Sequence, residues 1–105
     1  MTTYVITVPG TFTTTVGDDA RTRLGRALRP SDPHHTRMGE AQDLDPLSVN
    51  EDDTFTIRLA VEADSATHAE EDARRLADAA LHDAGLDGTS APLGPAVVTG
   101  IDSEV

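Results

Sequence analysis

The chain has 105 residues, 37% hydrophobic and 3% aromatic, with a formal charge of −11 and arginine as its one basic side chain apart from histidine. That length predicts one domain with a modest core. The charge argues against nucleic acid and anionic membrane surfaces, which clustered Lys and Arg would hold. The absence of cysteine excludes disulfides, thiolate nucleophiles and Cys-ligated metals. No basic-then-apolar leader opens the sequence and no apolar run could span a bilayer, so a cytoplasmic setting is expected.

Thr3–Val8 alternates, with Tyr4, Ile6 and Val8 on one face, and its β-branched content predicts a strand. Pro9-Gly10 is expected to end it. Residues 11–16 fit either a returning strand or a loop. An L-Pro-Gly pair favours type II over the primed turns of tight hairpins, so the loop is preferred, with Phe12 tucked into the core. A helix follows from Gly17 or Asp18 to about Leu28. Ala20, Leu24, Ala27 and Leu28 share one arc, and Arg23, Arg26 and Arg29 lie opposite. Asp18 and Asp19 suit its positive end, Arg26 and Arg29 its negative end, and Pro30 stops it.

A long loop is expected over 30–42. Leu44–Val49 reads as a short strand, and Pro46 places it at a sheet edge. Asn50–Asp53 reads as the turn of a hairpin leading to Thr54–Ala63, the clearest strand of the chain. There Phe55, Ile57, Leu59, Val61 and Ala63 take one face, and Thr54, Thr56, Arg58, Ala60 and Glu62 the other.

At Ser65 the period changes from two to between three and four. Ala66, Ala69, Ala73, Leu76, Ala77, Ala80 and Ala84 form one stripe of a second helix. Asp64 or Ser65 can cap it, and Thr67 with Glu70 has capping-box spacing one turn later. Gly85 and Leu86 predict a Schellman stop against Leu81. Glu70 with Arg74, Glu71 with Arg75 and Asp78 with His82 have i,i+4 spacing. After a polar loop, Ala96–Ile101 is the last strand, and 102–105 a frayed tail.

The order is β-α-β-β-α-β. Two split βαβ units in succession predict an α+β, ferredoxin-like two-layer sandwich over residues 1–105, with a four-stranded antiparallel sheet and two helices on one face. The right-handed crossover rule puts strands one and three at the centre. This fold hosts many unrelated functions, so it implies none.

Few residues carry chemistry. His34 and His35, with Asp32, are the candidate metal ligands, two imidazoles and a carboxylate being a common set for Zn or Fe(II). Adjacent residues in one loop seldom aim both rings at one ion, and the plain reading is a polar loop. His68 and His82 are about 20 Å apart along the second helix and cannot share a metal. The acids at Asp43, Asp45 and Glu51–Asp53 lack the EF-hand pattern, and no Ser sits in a nucleophile elbow. No cofactor is expected.

The charge is asymmetric: residues 1–40 sum to +1 and residues 41–105 to −12. Arg23, Arg26 and Arg29 are therefore the candidate partner-binding residues, for an acidic protein, a second copy of the chain or an anionic ligand. The open face of the central strand is polar, with a small apolar patch expected from Val5 and Val98. That polarity disfavours an apolar substrate cavity of the kind some ferredoxin-like dimers enclose. Two function classes remain: a small non-catalytic module working by protein contact or self-association, and a metal-dependent enzyme or metal-binding protein using the His34/His35 loop.

Overall fold

Strict alternation over Thr54–Ala63 produces a ten-residue strand whose odd-numbered members are buried and whose even-numbered members are exposed or half-exposed. In the computed structural model, which describes residues 2–29, 46–86 and 88–102, this strand is the third of four. The elements are β1 (Thr2–Thr11), α1 (Asp18–Leu28), β2 (Leu47–Val49), β3 (Thr54–Ala63), α2 (Ala66–Asp83) and β4 (Val97–Asp102); the pairs are antiparallel and the sheet runs β2-β3-β1-β4. Buried side chains of α1, α2, β1 and β3 belong to one cluster, as a two-layer α+β domain requires.

β1 runs further than expected. Pro9-Gly10 does not end it; pairing with β3 continues through Thr11 opposite Thr54. The proline is tolerated because of the side its nitrogen faces. Pro9 O accepts from Gly94 N at 2.8 Å and Thr11 N donates to Pro92 O at 3.1 Å. Odd-numbered residues of β1 thus turn their main chain away from β3, and the missing N–H removes no bond from that ladder. Gly10 is required for a different reason. It sits opposite Phe55, whose ring lies across it, and a Cβ there would be 2.2 Å from Phe55 Cζ. Phe12 is buried, as expected, and stacks on Phe55 with ring centroids 4.4 Å apart.

The β2–β3 turn is held by its own side chains. Asp53 is left-handed, φ 66°, a conformation Asp tolerates better than most residues. Thr54 Oγ1 donates to Asp52 Oδ1 at 2.5 Å and accepts from Asn50 Nδ2 at 2.9 Å. Chiefly that hydroxyl bond, with the Thr54 N–H, holds the Asp52 carboxyl below its ordinary range.

Ser65 is the cap of α2, its hydroxyl accepting from His68 N at 3.3 Å. The helix ends in the expected Schellman geometry, with Gly85 at φ 82°, Gly85 N donating to His82 O and Leu86 N to Leu81 O. Ala69, Ala73, Ala77 and Ala80 are buried against the sheet. Leu76, expected in this stripe, is 42% exposed. At about 100° per residue it falls on the margin of the apolar arc, where burial depends on a neighbouring element reaching it. The i,i+4 ion pairs do not form among the described residues; Arg75 instead pairs with Asp72 at 3.4 Å.

β4 carries a second departure. Val5 pairs with Gly100 and Ile6 with Val98, so Thr99 is the extra residue of a β-bulge. Val98 therefore packs toward the core rather than joining Val5 on the open face. Val5 stays on that face between Ala60 and Gly100 and is fully buried.

Candidate functional site

α1 starts at Gly17, an extended cap with no side-chain bond, and Asp18 and Asp19 occupy its first turn. Leu24 and Leu28 anchor it to the core, which commits the remaining faces to solvent. Arg21, Arg23, Arg26 and Arg29 are all exposed, and among the described residues none of them is in an ion pair within 4 Å. Arg23 lies toward α2: with Arg26 and Ala27 it lines a shallow depression of about 220 Å³ whose far wall is Asp83. A second depression of about 450 Å³ runs along Asp19, Thr22, Arg23 and Arg26.

The neighbouring helix has the opposite sign. Glu71, Asp78 and Asp83 are exposed on α2, and Glu70 and Asp72 are half-exposed. α1 and α2 share one core cluster, so the helical layer presents a basic strip beside an acidic one. Exposed guanidiniums without intramolecular partners are suited to charge-assisted, bidentate contact with carboxylates. They have no geometry for proton transfer or nucleophilic attack.

The other candidates fare differently. Asp32, His34 and His35 lie outside the described residues. Among the described residues no group of three or more His, Asp or Glu side chains could hold a metal ion. His68 and His82 are both exposed, on the first and last turns of α2. A depression of about 670 Å³ beside the end of α2 is lined by Arg75, Asp78, Leu81, His82 and Leu86.

The open sheet face is polar, as the alternation of β3 requires. Arg58, opposite Thr7, donates from Nη1 to Ser48 Oγ at 2.9 Å, and Thr7 and Thr99 exchange a hydroxyl hydrogen bond at 3.0 Å. At the Thr11 end, Pro9, Thr11, Thr54, Pro92 and Gly94 border an open groove of about 460 Å³.

One surface feature escaped the sequence reading. Two of the exposed large hydrophobic residues, Val97 at 50% and Ile101 at 60%, are on β4. The available signal was the run 88–101, which contains no charged residue in a chain that is 26% charged.

These features define a small α+β domain with segregated surface charge and one sheet edge that is uncharged from Val97 to Ile101. No protein-family model matches the chain, and no curated protein or solved structure matches it. No helix among the described residues is long and apolar enough to cross a membrane.

Proposed function

We propose that the chain is a ferredoxin-like βαββαβ domain that acts without catalysis, by contact with an acidic protein surface through Arg23, Arg26 and Arg29. The acidic surface is that of a foreign protein or of α2 in a second copy. The topological part rests on the element order and on β1 and β3 filling the middle of the sheet. The functional part rests on one observation: exposed arginines, unpaired among the described residues, on a short helix of a protein whose net charge is −11. A strongly acidic protein needs such a local basic strip to attract an acidic partner. We take the cytoplasm as its setting, in keeping with the cysteine-free composition.

Exposed pairs contribute about 0–1 kcal/mol each and are screened within about 8 Å at physiological salt, so the contact is weak and salt-sensitive. The test compares the unaltered chain with the triple variant Arg23→Glu, Arg26→Glu, Arg29→Glu. Sedimentation at low and high salt measures self-association, and capture from the native extract measures foreign partners. The reading expects a salt-sensitive association, or an acidic captured protein, that the variant loses while its circular dichroism is unchanged. It is refuted if both proteins show the same salt response and capture the same partners.

A further inference from the structure

The two edges of the sheet are built differently. β2 is three residues long, Pro46 precedes it, and Glu51, Asp52 and Asp53 follow. Short length, proline, charge and β-bulges are devices by which edge strands are kept from pairing with other chains. β4 is six residues long, has no proline, and is uncharged from Val97 to Ile101, with Asp102 at its end; the guard it carries along that run is the bulge at Thr99. Its outer side pairs with no strand among the described residues.

The bulge at Thr99 shapes that outer side. In an unbulged strand Val98 and Ile101, three apart, would face opposite sides. Here Val98 lies opposite Ile6 and Ile101 opposite Tyr4, so both are on the helix-covered face. The odd-numbered residues of β1 turn their main chain toward β4, which commits Val97 and Gly100 inward as the partners of Thr7 and Val5. In an antiparallel ladder these commitments alternate, so Val98 and Ile101 direct N–H and C=O out of the sheet.

We propose that β4 pairs antiparallel with β4 of a second copy of this chain, joining two four-stranded sheets across a two-fold axis. The chemistry selects a second copy. A two-fold contact uses the same strand on both sides, so every favourable pair occurs twice. With Val98 opposite Ile101 of the second copy, two apolar pairs form on the helix-covered face, and both residues of each pair have their main-chain groups pointing across the junction. Two copies of charge −11 repel; they meet with little like-charge contact along the uncharged run 88–101, which reaches the surface at this edge, while the one acid of each strand, Asp102, falls at the ends of the junction opposite Val97 rather than opposite the other Asp102. The contact is apolar and main-chain in character, so it is independent of the arginine strip on α1.

Sedimentation equilibrium at about 1 M salt, where screening acts within about 3 Å, separates this contact from any charge-driven one. The unaltered protein is expected to approach twice 11.1 kDa as its concentration rises. Ile101→Lys places a charge inside the uncharged run of β4 and is expected to weaken the dimer about tenfold or more; Leu76→Lys, at an exposed apolar residue on α2, leaves it unchanged. Ile101 is 60% exposed, so the fold tolerates the change, and circular dichroism checks this. Hydrogen exchange on the unaltered protein is a second, variant-free test: the Val98 and Ile101 amides gain protection with concentration, and those of Leu47–Val49 do not. A monomer at all concentrations, a dimer that Ile101→Lys leaves intact, or a dimer without new protection at Val98 and Ile101 overturns the proposal. The Arg23, Arg26, Arg29 triple variant keeps this dimer, so loss of the dimer in that variant also overturns it.

Discussion

Gly10→Ala is the most informative single change, because one methyl group tests how β1, β3 and the Phe12 loop fit together. The added Cβ would stand 2.2, 2.6 and 2.7 Å from three carbons of the Phe55 ring. That ring cannot swing aside freely: Phe55 is fully buried and stacked on Phe12 at 4.4 Å. Either the ring leaves its stack or β1 and β3 move apart. Overpacking of a dense core costs about 1–3 kcal/mol, and loss of the aromatic pair adds about 0.5–1.5 kcal/mol. The expected destabilisation is thus about 2–4 kcal/mol, read as a fall in the urea midpoint with unchanged slope. A double-mutant cycle isolates the clash. Phe55→Leu alone opens a cavity, but it also removes the ring that the new methyl meets. Gly10→Ala should therefore cost much less in the Phe55→Leu background, with a coupling of about 1–3 kcal/mol. A cost below about 0.5 kcal/mol for Gly10→Ala in the unaltered protein, or strict additivity in the cycle, would refute the packing of Phe55 over Gly10.

Leu59, fully buried on the helix side of β3, should cost about 2–5 kcal/mol on truncation to Ala, whereas Thr56→Ala on the open face should cost less than about 1 kcal/mol; equal losses in chemical denaturation would mean that β3 faces the other way. Ser65→Ala removes the oxygen that accepts from His68 N and should lower stability by about 1 kcal/mol, with amide exchange in the first turn of α2 rising before the rest of the helix. The folded-state pKa of Asp52 is lowered by Thr54, so its contribution to stability is present above the unfolded pKa and lost as pH falls through the folded one. An NMR titration should place the Asp52 midpoint below that of an unstructured Asp, and Thr54→Val should move it upward; an Asp52 midpoint that ignores Thr54→Val would show that the turn bond is not made in solution.

The elements governed by local geometry were legible in the residues. Side chains alternate along any strand and recur every three to four residues on any helix. Those two periods were enough to assign the buried face of β3, most of the inner stripe of α2, and Leu24 and Leu28 of α1. The Gly85–Leu86 stop was legible for the same reason, since a left-handed residue and one hydrophobic contact five residues back are local requirements. The exposure of Arg23, Arg26 and Arg29 followed from the apolar arc opposite them. What tertiary structure decided are the places where a residue's fate depends on a distant neighbour. Pro9 stays inside a strand because its nitrogen faces residues 92–94 rather than β3. Gly10 is needed because a phenylalanine 45 residues later crosses it. Leu76 is left exposed at the margin of a stripe whose other members are mostly buried. The bulge at Thr99 moves Val98 to the core side and so puts it on the same face as Ile101, and no period within β4 records it, because a bulge is a mismatch between two strands and belongs to neither sequence alone.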